Sequence, residues 1–270
     1  MKLLACPKCH QQLHLENKTL KCENNHCYDI SKRGYINLLL NPDKATNNPG
    51  DSKESLVARK AYLNKGYYDP ILNQVITCID EFKHQDDLSI LDLGCGEGYY
   101  TQGLKKHFEN SDIYGLDISK IAILDMATRY RKDVTWLVGN SKNIPILDHS
   151  LDFICALFTV VNQDELKRAL KEDGYIVHVT ANNQHLIEIK ELIYDEIKVK
   201  SDKYIRLDFN QVKSYDFKEK VHISNREDAL NLLMMTPHYY HIKKEKRGVL
   251  DTLQGLDITI DIKVTVYALS

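Results

Sequence analysis

Two groups of residues in this chain have the types and spacing that chemistry needs. The first is the D-x-G-x-G-x-G run Asp92-Leu93-Gly94-Cys95-Gly96-Glu97-Gly98, which follows a short apolar segment and precedes a helical pattern. Glycines let the backbone turn sharply and let a ligand approach to contact distance. A dinucleotide loop reads G-x-G-x-x-G and cradles a pyrophosphate. Here the last glycine comes one residue earlier, which fits an adenosyl group without a pyrophosphate. Asp117 ends the next apolar run, where a carboxylate can accept hydrogen bonds from both hydroxyls of a ribose. Strand, loop, helix, second strand and acidic tip, all in order, separate this pattern from a plain turn.

The second group is Cys6-Pro7-Lys8-Cys9 followed by Cys22-Glu23-Asn24-Asn25-His26-Cys27. Two thiolates from one tight turn and two ligands from another close a tetrahedron around Zn²⁺. On spacing alone the fourth ligand is either His26 or Cys27. Four protein ligands with no open position make such a site structural. A segment with so little apolar content needs a staple of this kind to fold. A redox pair is the competing reading, and no thioredoxin-like βαβ pattern surrounds the knuckle. Cys78, Cys95 and Cys155 fall in predicted helix, loop and strand and read as ordinary small residues.

These residues need a scaffold, and the periodicity supplies one. LSILDLG, DIYGLDIS, VTWLVG, LDFICALFTVV and GYIVHVTA read as five strands, with helical stretches such as KIAILDMATRY between most of them. Short apolar runs joined by helices predict a parallel sheet buried on both faces. Ser52 reads as the cap of a helix over KESLVARKAYL, and Asp69–Pro70 opens a second over ILNQVITCIDEF. Asn225 caps NREDALNLLMMTP, and DITIDIKVTVYAL reads as a long final strand. Residues 41–51, rich in Pro, Gly, Asn and Asp, read as an exposed linker. The expected organisation is a zinc-binding module over 1–36, linker and helices over 37–85, and a Rossmann-like α/β domain over 86–270.

Composition sets the class. The chain has 270 residues, 43% hydrophobic and 27% charged, as in an ordinary globular protein large enough for one core and a small accessory module. No apolar run approaches the roughly 18 residues of a membrane helix, and the first residues lack the apolar stretch of a secretory signal. The expectation is a cytoplasmic protein with no membrane association, whose clustered thiols bind metal. The net charge is −2, but residues 1–60 carry ten basic side chains against six acidic ones, and Lys243, Lys244, Lys246 and Arg247 form a second cluster. Such clusters can hold phosphates; a solvated surface is the competing reading.

With those motifs in view, the chain resembles the RlmA-type 23S ribosomal RNA guanine-N(1)-methyltransferases along essentially its whole length. The matching stretches are CPKC with CENNHCYDISKRGYINLL, NPGDSKESLVARKAYLNKGYYDPI, ILDLGCGEGYYT, YGLDISKIAI, VGNSKNIPI, NNQHLIEIK and LLMMTPHYY. The resemblance implies a Rossmann-like S-adenosylmethionine-dependent methyltransferase that releases S-adenosylhomocysteine. It implies Zn²⁺ on Cys6, Cys9, Cys22 and His26, and cofactor contacts from Tyr68, Gly96, Glu97 and His185 beside Gly94 and Asp117. The implied partner is 23S ribosomal RNA or a large-subunit precursor, with N1 of a guanine in a hairpin loop as the acceptor; some such proteins form homodimers.

The sequence departs from the family in two places. Where the family usually has Ser-Pro or Ala-Pro after the fourth strand, this chain reads Phe158-Thr159-Val160-Val161-Asn162. Where VGD is common it reads Val138-Gly139-Asn140, whose amide oxygen still suits an adenine amine. The missing proline bears on the acceptor pocket. It keeps two other readings in play: a catalytically inactive RNA- or ribosome-binding relative, and a small-molecule methyltransferase. N1 of guanine lies on the Watson–Crick edge, so an RNA substrate must offer an unpaired or flipped base, stacked on aromatics. Tyr99, Tyr100, Phe158, Tyr239 and Tyr240 are candidate platforms, with core packing as the alternative for each. Glu97, Asp164 and His185 are candidates for the general base, and the sequence assigns none.

Overall fold

The structure, a computed structural model, describes residues 1–40, 52–197, 207–243, 245, 248 and 255–269. The expected linker 41–51 and most of the basic cluster near 245 lie outside the described residues. Three short antiparallel strands, β1 (His14–Glu16), β2 (Thr19–Lys21) and β3 (Cys27–Asp29), form a small sheet. The strand β4 (Ile36–Asn37) follows. Next come helices α1 (Lys53–Leu63) and α2 (Asp69–Phe82), then an alternating series: β5 (Ser89–Leu93), α3 (Tyr99–His107), β6 (Asp112–Asp117), α4 (Lys120–Arg129), β7 (Thr135–Val138), β8 (Leu151–Leu157), α5 (Gln163–Ala169) and β9 (Leu170–Ala181). The chain closes with α6 (Ile187–Ile193), β10 (Asn210–Ile223), α7 (Arg226–Met234), a 3₁₀ turn Pro237–His241 and β11 (Leu256–Ala268).

The main sheet has eight strands in the order β10-β11-β9-β8-β5-β6-β7-β4. Strands β5 to β9 run parallel, as predicted, and β4, which the sequence pattern did not reveal, adds parallel to β7 at the edge. The last two pairings are antiparallel, β11 with β9 and β10 with β11, so β11 alone runs against the other strands and the sheet is mixed. The expected fourth strand is also shorter than LDFICALFTVV, because Phe158 turns out of it at φ +54°. The predicted caps form: Ser52 accepts from Ser55 N–H at 3.1 Å and Asn225 from Asp228 N–H at 2.9 Å, each satisfying a donor that a helix start leaves open.

Two cores lie on opposite faces of the sheet. In β5, Ile90 faces one and Leu91 and Leu93 the other, the alternation a doubly covered strand requires. The first core takes residues from α1, α2, α3, α4, α6 and α7. The second is covered by α5 and by the N-terminal ribbon, whose Leu4, Leu13, Leu20, Cys6 and Cys22 cluster with Leu91, Tyr114, Leu137, Ile144 and Ile154. The ribbon therefore has more apolar support than its own composition indicates, because it borrows a sheet face. Backbone bonds fix the contact: Ala5 N–H donates to Pro145 O at 3.0 Å and Leu147 N–H to Leu3 O at 2.8 Å. No helix among the described residues is long and apolar enough to cross a membrane.

Candidate functional site

The strand order dictates where a ligand sits. From β5 the chain winds to β6 and β7 on one side and returns to β8 on the other, so the crevice beyond the carboxyl ends of β5 and β8 is the switch point of the sheet. The glycine run occupies it. Gly94 (φ +73°) and Gly96 (φ +53°) lie in the left-handed region that other residues rarely adopt. A Cβ on Gly94 would overlap the Thr159 hydroxyl, so the loop packs directly against the segment leaving β8.

Asp117, half-buried at the tip of β6, accepts from Gly96 N–H at 2.9 Å through one oxygen and from Ser119 N–H at 2.7 Å through the other. Both bonds fix the orientation of the carboxylate at the crevice, where the sequence places a ribose contact. Glu97 is 6% exposed and caps the start of α3 by accepting Tyr99 N–H at 3.0 Å. Burial raises its carboxyl, opposed by Tyr99 N–H and the charges of Arg59, Arg129 and Lys60. Asp92 is buried beneath the loop, accepts the Thr101 hydroxyl at 2.5 Å, and is pushed up to about 7 by burial.

Tyr68 and His185 come from distant parts of the chain and meet there, their rings 6.3 Å apart and both buried. Burial holds the Tyr68 phenol well above the ordinary tyrosine range. His185 Nδ1 accepts Asp261 N–H at 3.3 Å. An acceptor at Nδ1 leaves the proton of the neutral ring on Nε2. Burial lowers this imidazole to about 4 and keeps it neutral. His185 thus presents a donor at Nε2, which argues against the general-base role considered for it.

The aromatic candidates divide. Phe158 stacks on His185 with centroids 5.8 Å apart at 20° and stays 43% exposed at the crevice. Tyr100 points inward, its hydroxyl buried with no partner among the described residues. Tyr99 donates to Asp69, and Tyr240 meets the Ser52 hydroxyl at 3.2 Å. Asn140 spends one lone pair of its side-chain oxygen on Lys142 N–H at 3.0 Å. Asp164 lies exposed in the first turn of α5.

Sequence reasoning missed Arg59, on α1, whose Nη1 lies 3.2 Å from where a Gly96 Cβ would stand. Its only sequence signal is membership of the basic excess in residues 1–60. The crevice fits an adenosyl amino acid in its donor set: a carboxylate for the ribose, glycine backbone for close approach, buried acids, and a guanidinium. A groove of about 460 Å³ lined by Gly34, Lys105, Asp112, Arg131, Lys132 and Asp133 lies at the opposite ends of the strands, away from the glycine run and the switch point.

In the ribbon, Cys6, Cys9 and Cys22 Sγ and His26 Nδ1 all lie within 4.8 Å of one another. The Cys9–Cys22 sulfurs are 3.7 Å apart, and each of the three sulfurs is 3.5 Å from His26 Nδ1. A tetrahedron with Zn–S of about 2.3 Å and Zn–N of about 2.05 Å has edges of roughly 3.75 and 3.55 Å, so the four atoms fit a zinc ion. Cys27 is exposed and turned toward the Asn25 carbonyl at 3.5 Å, away from the cluster. The two turns that aim the ligands close by His10 N–H to Cys6 O and Asn25 N–H to Cys22 O, with His10 and Asn25 at positive φ.

Comparison with known proteins finds relatives for both parts of the chain. Residues 4–45 match the zinc-ribbon family described as "RlmA, N-terminal" and residues 90–174 the family described as "Methyltransferase domain". The chain is 27% identical over 98% of its length, and 96% of the other chain, to "Putative 23S rRNA (guanine-N(1)-)-methyltransferase YxjB" of Bacillus subtilis. It is 27% identical over 72% of its length to the 23S rRNA (guanine(748)-N(1))-methyltransferase of Streptomyces fradiae, of which it covers 68%. A crystal structure of a "putative methyltransferase" from Bacillus halodurans overlays 73% of this chain and all of that one, with a TM-score of 0.50 at 12% identity, which bears on fold alone.

Proposed function

We propose that this chain is an RlmA-type methyltransferase, a zinc ribbon joined to an S-adenosylmethionine-dependent domain, and that it methylates N1 of a guanine in a hairpin loop of 23S ribosomal RNA. What carries the reading is the union in one chain of an RlmA-type ribbon with a methyltransferase domain, matched over 98% of its length to a relative so named. Ribosomal RNA or a large-subunit precursor in the cytoplasm is then the partner, with a homodimer as the assembly. Residues 1–36 act as the zinc module and 86–270 as the catalytic domain, bridged by 37–85.

In this proposal Cys6, Cys9, Cys22 and His26 hold Zn²⁺, a structural ion that keeps the ribbon on the sheet. Tyr68, Gly94, Gly96, Glu97, Asp117 and His185 hold the cofactor, with Asp117 on the ribose. When bound, S-adenosylmethionine supplies an electrophilic methyl group. The chain's part is to bring an unpaired base in line with it, and alignment supplies a large share of such rates. Phe158 offers an exposed aromatic face on which the base stacks. His185, neutral with its proton on Nε2, donates a hydrogen bond into the crevice without adding charge. The ribbon's basic side chains Lys32 and Arg33, both exposed, clamp phosphates.

The test is Phe158→Ala. It raises KM for the RNA by roughly tenfold, the lower end of base–aromatic stacking, and leaves cofactor affinity unchanged by calorimetry. Phe158→Trp retains activity. Equal KM in all three proteins would remove the stacking role. Methyl transfer to small metabolites with none to RNA or ribosomal particles would replace the proposal with a small-molecule enzyme.

A further inference from the structure

The three thiolates of the ribbon cluster differ in what surrounds them. With a neutral imidazole and Zn²⁺ they sum to a single negative charge, and a buried charge needs hydrogen-bond donors around it. Cys9 is half-buried, so water reaches its sulfur, and the Gln11 N–H and the Asn24 side chain also donate to it. Cys22 is buried and takes the backbone N–H groups of Asn24 and His26. Cys6 is the ligand nearest the sheet. It is 0% exposed, follows Leu4 and Ala5 in the joint with the sheet, and belongs to the second core. Its sulfur has no access to water and needs a donor from the protein.

The side chain that reaches Cys6 is Tyr28, with its hydroxyl 3.3 Å from the sulfur. The strand β3 puts it there. Its three residues run exposed, half-buried, exposed, so Tyr28 turns inward, opposite buried Leu20 on β2, while Cys27 and Asp29 turn out. The alternation that keeps Cys27 off the metal therefore delivers the Tyr28 hydroxyl to it. A metal-bound thiolate carries no proton, whereas a phenol ordinarily keeps its own up to roughly pH 10. In the loaded ribbon the hydroxyl is thus the donor and the sulfur the acceptor. Partners of this kind, one step out from the ion, fix the orientation and electron density of the ligand they touch.

We infer that Tyr28 is a positioning residue of the zinc site: its hydroxyl donates to the Cys6 thiolate, and this bond helps the ribbon to retain its metal. The inference rests on Zn²⁺ occupying the cluster of Cys6, Cys9, Cys22 and His26, and it is independent of which molecule accepts the methyl group. It also makes β3, which supplies no ligand, part of the metal site.

The experiment compares the full-length protein with Tyr28→Phe, each loaded with zinc or with cobalt(II) as a coloured stand-in. Phenylalanine keeps the packing of the ring and deletes only the hydroxyl. Zinc affinity, read by competition with a chromogenic chelator, is expected to fall roughly ten- to a hundred-fold. In the cobalt proteins the thiolate-to-metal charge-transfer band is expected to move to longer wavelength, because a sulfur without its donor gives up electron density more easily. Tyr28→Leu, which removes the ring as well, is expected to show the same band position as Tyr28→Phe, since both lack the donor. Zinc affinity within about twofold of the parent in Tyr28→Phe would mean that the bond is dispensable. Weaker zinc with an unmoved band would mean that Tyr28 acts through packing alone. Either result overturns the inference. Failure of the unaltered protein to bind zinc, or full retention of zinc by Cys6→Ser, would overturn the ligand set itself, and the inference with it.

Discussion

Asp92 shows what burial does to a motif residue. The carboxyl is 2% exposed and raised to about 7, first by burial and then by Asp117 and Glu97, against the pull of the Thr101 hydroxyl. Below the unfolded value, about 3.9, both states are protonated and the group is neutral to stability. Between there and about 7 the folded chain holds more protons, so stability falls as pH rises. Asp92→Asn removes that dependence. Its melting temperature relative to the parent is expected to shift in the variant's favour between pH 5 and pH 8; a gap independent of pH would contradict the burial argument. The cysteines allow a second contrast. Cys9→Ser should cost at least about 2 kcal/mol, a drop of roughly 4–8 °C for a chain of this size, and release zinc to a chromogenic chelator. Cys27→Ser, at an exposed residue outside the cluster, should do neither. Equal zinc loss from both would reassign the fourth ligand. The glycines and Asp117 were legible because turn geometry and strand tips leave a local signature. Arg59 and the His185 tautomer were not, since each depends on a backbone group far away in sequence, Met235 O and Asp261 N–H.

The helices capped at Ser52 and Asn225 and the strands β5 to β9 were legible, because caps and continuous apolar runs are local signals, although the fourth predicted strand ran four residues past Leu157 and the short edge strand β4 was missed. The strand β10 was missed. It lies at the sheet edge, its residues alternate between exposed and half-buried, and Lys213, Asp216, Lys218, Glu219 and Lys220 mask the period. Charges of this kind protect an edge from further pairing. The antiparallel turn of β11 was hidden too, since a buried strand looks alike in either direction. The joint between ribbon and sheet also had no visible motif. Arg168, with its side chain 19% exposed, donates to Ile144 O at 2.7 Å and Ile146 O at 2.8 Å and pairs with Glu165 and Asp148, while Glu165 accepts Ile144 N–H. These bonds shape segment 144–148, on which the ribbon docks. Arg168→Ala is expected to cost about 2–4 kcal/mol and to speed amide exchange in residues 3–13 as well as 144–148. Faster exchange confined to 144–148 would show that the ribbon docks without this brace.

At the scale of the whole molecule, the ribbon does for one face of the sheet what helices do for the other. Removing zinc therefore exposes Leu91, Tyr114 and Ile154 along with the ribbon's own leucines, and the methyltransferase core and the ribbon should unfold in one transition. The same arrangement sets basic ribbon side chains and the crevice on one body, as an enzyme acting on a large structured RNA requires. The most direct test of that account is nucleoside mapping of 23S ribosomal RNA from cells with and without this protein, restored by the purified chain and S-adenosylmethionine. The account predicts one N1-methylguanine in a hairpin loop, absent without the protein and regained on its addition. An unchanged set of methylated guanines, with no methyl incorporated in the reconstituted reaction, would contradict it.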